Sequence, residues 1–427
     1  MKHYLGIDIG TSGCRSCVID ANAAIKVEIR TALPAPQRSG NLVEQAPEIW
    51  WAALTANLDQ LANEFPLKSV EALALDGTSA TLLCCDADGT PLSPALMYND
   101  ARAIEQSAQV DEVTPTGTAA RGASASLAKL LWLIQQPACK SAQHAMHQAD
   151  WLLGRLAGRF GVSDENNALK LGYDVVNSCW PAWLAKLDIA PSLLPDVVPA
   201  GYPLGTLTKD LCKRWGMSPS TRILSGTTDS TASFIATGAG PGEAVTSLGS
   251  TLVLKILSDT PVFAPGHGVY SHRLGNSWLV GGASNSGGAV LQQFFSQEEI
   301  TRFSGMLSAD RPTGLDYYPL TAPGERFPVN EPDLQPRLAP RPDDDAQFFQ
   351  GILEGIARIE LQGYQKLIEL GAPWPMVVIT TGGGAANSAW RTIREQLLGI
   401  PVIAATHQEA AYGAALLARQ SRGASTE

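Results

Sequence analysis

The sequence lacks any apolar run near the roughly 20 residues that a membrane-spanning helix needs. It also lacks the apolar segment of a secretory signal, because "MKHYLGIDIG" leads directly into a strand pattern. The formal net charge of -10 opposes binding to nucleic-acid phosphates and to anionic lipid through long-range repulsion. We therefore predict a cytoplasmic protein that acts on small molecules and binds neither nucleic acid nor membrane.

The sequence also has few cysteine and histidine spacings that are typical of metal sites. The seven cysteines are an odd number at irregular spacing. Cys14 and Cys17 form a CxxC, but an odd offset along a strand puts their side chains on opposite faces. Packed free thiols in a reducing compartment therefore fit better than a zinc or redox pair. His144 and His147 are predicted to lie on the surface of a helix.

Several catalytic motifs are missing from the sequence. It has no GxxxxGK[ST] loop, no GxSxG and no HExxH, which excludes a P-loop nucleotide site, a nucleophile elbow and a zincin. Ser126-x-x-Lys129 matches a short acylase pattern, but no KTG accompanies it. The surrounding "SLAKLLWL" predicts an amphipathic helix instead.

The length of 427 residues exceeds what one hydrophobic core usually serves, so we predict two domains, 1–224 and 225–427. The first twenty residues predict two antiparallel strands around "GTSG". Helical periodicity predicts helices over 46–65, 346–370, 388–399 and 409–420, and buried strands are predicted over 70–77 and 376–381. Mixed sheets covered by helices are the expected architecture.

The stretch "IDIGTS" at 7–12 is similar to "TSLGST" at 246–251. Each places a strand before a glycine and two hydroxyl residues, and each stands near the start of one half of the chain. Turns of this composition can aim backbone N–H groups and hydroxyls at phosphate oxygens. We therefore predict a duplicated domain with two phosphate turns, of which only the first carries an acid, Asp8.

A third glycine cluster, Gly382 to Gly384, lies between a predicted strand and a predicted helix, where a ligand can approach the backbone closely. It is no dinucleotide fingerprint, because Asn387 stands where that motif needs its last glycine. Trp390 follows one helical turn later and either walls an adenine pocket or packs in the core.

Asp229, in "GTTDSTA", has two readings. It is either a helix cap that accepts N–H bonds or a general base that receives a hydroxyl proton. In the second interpretation the two acids have different roles in phosphoryl transfer. Asp229 receives the hydroxyl proton, and Asp8 holds a hydrated Mg²⁺ on the nucleotide phosphates.

Six segments together resemble the FGGY carbohydrate kinases, in family order and along nearly the whole chain. They are "GIDIGTSGCR", "GTTDSTA", "TSLGSTLVLK", "LEGIARIELQGY", "GGGAANSAW" and "EAAYGAALLA". The resemblance implies an α/β fold of two ribonuclease-H-like domains of the actin/hexokinase type, with ATP and a sugar in the cleft between them. It also implies an ATP-dependent carbohydrate kinase that uses Mg²⁺.

The resemblance assigns roles to single residues. Asp8 matches the acid near Mg²⁺ and Asp229 matches the general base. The phosphate-binding and adenosine-binding positions are matched by Gly10, Thr11, Ser12, Gly249, Ser250, Thr251, Gly383, Gly384 and Asn387, with Trp390 beside them.

The substrate strand departs from better-known relatives. "LALDGTSATLLCCD" has Thr78-Ser79 where glycerol kinases have Arg-Glu and bacterial xylulokinases have Met-His. With the short length and "SDENNALKLGY", this resembles a compact ribulokinase- or xylulokinase-like branch in which the serine, here Ser79, reaches the sugar. The implied substrate is D-ribulose, with D-xylulose as the alternative.

Other sugar-side candidates and another class of function stay open. Asn99, Asp100 and Asp164 lie in segments that line the sugar side in the family, and polar loops of this kind are also common without such a role. Arg15 either steers phosphate charge or caps the strand surface. A non-catalytic nucleotide-binding module of the same architecture would keep the glycine turns but would not need Asp229 or Ser79.

Overall fold

A computed structural model describes residues 2–420 of the chain. Its contacts divide the chain into two compact units. Within the described residues, the first comprises 2–236, His272–Gly275 and 409–420, and the second comprises Thr237–Ser271 and Asn276–Gln408. The first unit thus extends past the predicted boundary at 224 and includes Asp229. Within the described residues, no helix combines the length and apolar character of a membrane span.

The main sheet of the first unit is mixed and has seven strands. Six of them run in the spatial order Pro203–Thr206, Arg222–Leu224, Val70–Gly77, His3–Ile9, Gly13–Asp20 and Ile25–Ala32, and Thr227–Thr228 pairs with Val70–Gly77. The predicted antiparallel pair around "GTSG" is confirmed. The central strand His3–Ile9 is buried at every position, as expected for a strand covered on both faces.

Two smaller sheets complete the first unit. One contains Gln37–Ser39, Leu42–Gln45, Ala95–Leu96, Leu82–Cys85 and His144–His147, and the other pairs Val162–Asp164 with Asp196–Val198. The prediction of a surface helix for His144 and His147 is wrong. They are the first and last residues of a strand, and the fully buried His147 donates its backbone N–H to Asp150 Oδ2 at 3.1 Å at the start of the next helix.

Helices cover the main sheet and extend the first unit. They are Pro47–Glu64, Ile104–Val113, Ser126–Gln135, Gln148–Ala157, Glu165–Ala168, Lys209–Trp215, Asp229–Ala236 and Ala410–Gln420. The last helix approaches the sheet very closely, since a Cβ at Gly6 would meet the Ala411 carbonyl oxygen at 1.9 Å. A Cβ at Gly413 would likewise meet the Ala232 carbonyl oxygen at 1.8 Å, so small residues bring this helix into the first unit.

The second unit repeats the strand, turn, strand pattern. Its sheet contains, in spatial order, Ser277–Ser284, Leu252–Ser258, Glu243–Leu248, Val377–Thr381 and Val402–Ala404, while Tyr270–Leu274 contains residues of both units. Its helices are Gly288–Gln292, Gln297–Ser304, Asp345–Glu369 and Ser388–Leu398. The predicted stripe of the long helix is buried, including Phe349, Ile352 and Ile356, which confirms the helical periodicity.

Candidate active site

Three carboxyl groups lie where neighbouring strands of the first unit end. His3–Ile9 and Val70–Gly77 are parallel and pair Asp8 with Asp76. Thr227–Thr228 is parallel to the second strand and pairs Thr227 with Asp76. Asp229 follows at once as the first residue of a helix. Because parallel strands end at the same edge of a sheet, these three side chains come together where α/β proteins bind ligands.

Asp8 is the best-anchored acid of the three. Antiparallel pairing sets Arg15 opposite Asp8, and the Arg15 Nη1 donates to Asp8 Oδ2 at 2.7 Å. Asp8 is only 4% exposed. Burial raises the pKa of Asp8 above its ordinary value, although Arg15 opposes this rise. Arg15 therefore anchors the Asp8 carboxyl group, a contact that neither alternative for Arg15 included.

Asp76 is a site residue that the sequence reasoning missed. It is completely buried. Burial, followed by repulsion from Asp8 and Asp229, raises the pKa of Asp76 well above its ordinary value. The buried environment and the two neighbouring carboxyl groups thus favour the protonated form of Asp76. Like Asp8, Asp76 is an aspartate within an apolar strand, and this feature of the sequence could have identified it.

Asp229 is half-buried and accepts a hydrogen bond from the backbone N–H of Ser230 at 2.7 Å. The first phosphate turn lies at the same sheet edge, directly after Asp8. Its Gly10 N–H donates to the Gly13 carbonyl at 3.0 Å, and Ser12 is exposed. The acids and the exposed Ser12 thus offer carboxylate oxygens and a hydroxyl at one edge of the sheet.

The candidate sugar contact Ser79 lies in a turn, Thr78 to Thr81, that other side chains hold tightly. Gln148 Oε1 accepts from the Thr78 backbone N–H at 3.0 Å and from the Thr78 hydroxyl at 2.9 Å. The Gln148 backbone N–H donates to the Thr81 carbonyl at 3.1 Å. Ser79 itself is half-buried, in contrast to the buried residues on either side.

The three further sugar-side candidates differ in what they contact. Asp100 is buried and accepts from the Val43 backbone N–H at 2.6 Å and from the Arg102 guanidinium at 2.8 Å. Asp100 therefore stabilises the loop that contains it. Asn99 beside it is half-buried, and no donor among the described residues reaches its buried Oδ1.

Asp164 caps the short helix Glu165–Ala168. Its carboxyl accepts from the backbone N–H groups of Asn166 and Asn167 and, at 2.6 Å, from the Asn167 side chain. Burial raises the pKa of Asp164 to about 8, and the charge of Asp150 adds to the rise. These contacts give Asp164 a local structural role.

A cavity of about 330 Å³ in the second unit collects most of the residues predicted for the nucleotide. Its lining includes Gly249, Ser250, Gly383, Gly384, Asn387 and Trp390. Thr251 ends the second turn and does not line the cavity. The volume is within the range of small-molecule sites, roughly 300–1,000 Å³.

Close backbone packing forms the rim of this cavity. The Gly288 N–H donates to the Gly249 carbonyl at 2.9 Å, so a helix start supports the second turn. A Cβ at Gly384 would lie 2.5 Å from the Trp390 ring and 2.8 Å from the Leu248 Cβ. A side chain at Gly384 would therefore displace the cavity wall.

Trp390 both packs and lines the cavity. It is 4% exposed, and its Nε1–H donates to the Leu353 carbonyl at 3.0 Å. Asn387 caps the helix that carries Trp390, because its Oδ1 accepts from the Trp390 backbone N–H at 2.9 Å. Trp390 therefore packs in the core and also lines the cavity, and its place beside adenine stays a prediction.

A buried ionic network supports the strands that lead to the second turn and to the third glycine cluster. Arg394 binds Glu360 through two guanidinium hydrogen bonds of 2.6 Å and donates to the Thr380 hydroxyl at 2.8 Å. Glu360 also accepts from the Thr246 hydroxyl at 2.5 Å. Thr246 and Thr380 lie opposite each other on paired strands, so the network fixes both strand ends.

The acids of the first unit fit a magnesium ion that is held mainly by phosphate and water. Among the described residues, no group of three or more His, Cys, Asp or Glu side chains is arranged as a metal site. Mg²⁺ on a nucleotide usually keeps several waters and takes only one or two carboxylates from the protein. Asp8 can supply one carboxylate oxygen, since Arg15 occupies the other.

Comparisons with known proteins cover nearly the whole chain. The models of the N-terminal and C-terminal domains of the FGGY family of carbohydrate kinases match residues 3–236 and 244–421. The xylulose kinase of Streptomyces coelicolor is 28% identical over 433 residues, which cover 96% of this chain and 86% of that protein. The xylulose kinase of Escherichia coli is 25% identical over 418 residues, with 93% and 85% covered.

The solved structure of a ligand-bound xylulose kinase from Lactobacillus acidophilus matches with a TM-score of 0.87 and 20% identity. The match covers all of this chain and 91% of that one. At this identity the likeness concerns the fold, and it confirms the predicted two-domain α/β architecture.

Proposed function

The chain belongs to the FGGY family of carbohydrate kinases, which transfer a phosphoryl group to an alcohol, and we propose that its substrates are ATP and a ketopentose. The terminal hydroxyl of the sugar, C5–OH in a ketopentose, is the acceptor. D-xylulose is the first candidate for the sugar and D-ribulose is the second.

One structural observation supports this proposal most. Asp8, Asp76 and Asp229 meet at the carboxyl edge of a sheet beside an exposed glycine-hydroxyl turn. A non-catalytic nucleotide-binding module has no need for three carboxyl groups there, because their mutual repulsion and burial cost stability. A reaction in which a hydroxyl loses a proton next to a charged phosphate does need them.

Asp229 acts as the general base in this mechanism. Its carboxylate receives the proton of the sugar hydroxyl while that oxygen attacks the γ-phosphorus. The bond between the γ-phosphorus and the bridging oxygen breaks, and ADP leaves with the electron pair. Thr11, Ser12 and Ser250 hold phosphate oxygens, and Arg15 keeps the Asp8 carboxylate in place.

The nucleotide is assigned to the cavity of the second unit, with Gly384 and Trp390 beside adenosine. Mg²⁺ would neutralise charge on the phosphates, and Asp8 would hold one of its coordinated waters or one coordination position. The excess of negative charge at Asp8 and Asp229 makes such a cation favourable.

The choice of sugar rests on two observations that point in different directions. The similar proteins from Streptomyces coelicolor and Escherichia coli are named xylulose kinases, which favours D-xylulose over the D-ribulose expected from the sequence. Thr78-Ser79, at the end of the substrate strand, keeps D-ribulose as the second candidate.

A panel of sugars with Mg-ATP tests the proposal, with release of ADP as the readout. The panel contains D-xylulose, D-ribulose, glycerol, gluconate and a control without sugar. We expect the highest kcat/KM with D-xylulose, then with D-ribulose. A preference for glycerol or gluconate would contradict the ketopentose assignment.

A further inference from the structure

Lys129 is a completely buried lysine in the helix Ser126–Gln135, and the mechanism above does not use it. Its Nζ donates to the backbone carbonyls of Ala80 at 2.8 Å, Met97 at 2.6 Å and Tyr98 at 3.3 Å. An ammonium group has three N–H donors and no acceptor. Each donor therefore has one carbonyl partner.

The three carbonyls belong to two separate loops of the first unit. Ala80 directly follows Ser79, and Tyr98 directly precedes Asn99. The Met97 carbonyl also accepts the Asp100 backbone N–H at 2.9 Å, which closes the second loop on the same oxygen. Lys129 is thus hydrogen-bonded on one side to the loop of Ser79 and on the other to the loop of Asn99.

The loop of Ser79 needs such an anchor. Ala80 has a φ of +64°, in the left-handed region that residues with a Cβ rarely adopt. Strain of this kind persists only where the surroundings over-determine the conformation. Gln148 holds Thr78 and Thr81 at the two ends of the turn, and Lys129 holds the carbonyl in its middle.

Burial of an ammonium group is expensive, and a buried lysine needs compensation from its partners. Burial lowers the pKa of Lys129 to about 7, against an opposing effect of Asp100. An apolar residue would fill the same space but would remove the Lys129 hydrogen bonds from all three carbonyls. The three hydrogen bonds of Lys129 therefore indicate that the relative position of the two loops matters.

We propose that Lys129 is a positioning residue for the sugar, which fixes the loop of Ser79 relative to the loop of Asn99. This inference rests on the proposed function, because it takes these two loops as the sugar-binding side of the first unit. Lys129 itself does not touch the substrate, since its side chain is fully buried and its three donors are used within the protein.

Lys129→Met and Lys129→Gln test the proposal in the full-length protein. Methionine removes all three donors, whereas glutamine keeps two N–H donors without charge. We expect the KM for the ketopentose to rise by roughly tenfold to a hundredfold in Lys129→Met, because misplaced contacts cost on the order of 10². Lys129→Gln should recover part of this loss, and the KM for ATP should stay unchanged in both.

Thr221→Val is the matched control. The Thr221 hydroxyl is also fully buried and donates to a single carbonyl, that of Val70 at 2.9 Å, at the far end of the substrate strand. It should lower the melting temperature without changing the KM for the sugar. A general loss of stability lowers the fraction of active protein and therefore the apparent kcat. It changes neither the KM for the sugar nor the KM for ATP.

The outcomes separate this inference from the function on which it rests. Wild-type protein that phosphorylates no ketopentose would contradict the proposed function. Wild-type activity with an unchanged sugar KM in folded Lys129→Met would overturn the positioning role alone. An equal rise in the KM for sugar and ATP would also overturn it, as would failure of both Lys129 variants to fold, since Lys129 would then serve the folding of the unit.

Discussion

Asp8 and Asp76 are paired residues on adjacent parallel strands, and burial sets them apart from ordinary surface carboxylates. Arg15 donates to Asp8 and opposes the rise in its pKa, whereas burial and repulsion from Asp8 and Asp229 raise the pKa of Asp76 well above its ordinary value. One edge of the sheet thus combines a carboxyl group anchored by an arginine with a carboxyl group whose protonated form is favoured. Phosphoryl transfer requires such control, because repulsion between several free carboxylates would oppose the phosphates.

The raised pKa of Asp76 predicts a stability effect with a definite sign. In the folded protein Asp76 keeps its proton at a pH where the unfolded chain has lost it, so this group's contribution to stability falls as pH rises above the ordinary aspartate range. The Asp76→Asn variant does not lose stability in this way, because asparagine has no proton to lose. We therefore expect the difference in melting temperature between Asp76→Asn and wild type to be more positive at pH 8 than at pH 5.

Asp59→Asn is the control, because the pKa of Asp59 is shifted in the direction opposite to that of Asp76. A hydrogen bond from Arg214 holds the pKa of Asp59 below its ordinary value, so this group stabilises the fold throughout pH 5 to 8. Asp59→Asn should lower the melting temperature by a similar amount at both pH values. An equal effect of Asp76→Asn at pH 5 and pH 8 would show that the pKa of Asp76 is not raised in the folded protein.

Gly384→Ala tests the nucleotide cavity. Its Cβ would lie 2.5 Å from Trp390, so the cavity wall must shift at a cost of about 1–3 kcal/mol. We expect the KM for ATP to rise by about tenfold or more while the sugar KM stays constant. Steady-state kinetics with each substrate varied in turn measures both constants.

Gly383→Ala is the neighbouring control for the fold. A Cβ at Gly383 meets no atom within 4 Å, and its backbone is not left-handed. This variant should melt close to wild type. If both variants leave the KM for ATP unchanged, the nucleotide does not bind in this cavity.

Arg394→Met removes one partner of the buried ion pair with Glu360. The isolated carboxylate then lies in the core of the second unit, and breaking a buried pair typically costs about 3–5 kcal/mol. Denaturant unfolding of this variant should show a decrease of this size in the free energy of unfolding.

Arg341→Met is the control, because it removes an exposed ion pair with Asp345. This variant should lower the free energy of unfolding by no more than about 1 kcal/mol. Comparable losses in the two variants would refute the structural role of the network.

The sequence predicts local features of this protein well. The strands around "GTSG" and "TSLGST" and the helix Asp345–Glu369 follow from apolar periodicity and turn residues, which are properties of neighbouring residues. The comparison of the two turns likewise distinguishes Asp8, because only the first turn carries an acid.

Contacts between segments that are distant in sequence could not be predicted from such local patterns. Asp76 has the same local signal as Asp8, but its role depends on strand pairing with Asp8 and Thr227. The helical pattern around Lys129 is confirmed, yet its three carbonyl partners lie about 30 to 50 residues away in sequence. The last helix packs on the first unit because Gly6 and Gly413 permit close approach, and no periodicity indicates which sheet a helix will cover.

The most direct test of the central claim is ADP release by wild type and Asp229→Ala with Mg-ATP and D-xylulose. Loss of a general base typically costs on the order of 10²–10⁴ in rate, so kcat should fall by that factor while Asp229→Ala still binds ATP. Wild-type ADP release should depend on the ketopentose. Full sugar-dependent turnover in Asp229→Ala, or ATP hydrolysis by wild type that ignores the sugar, would contradict the account.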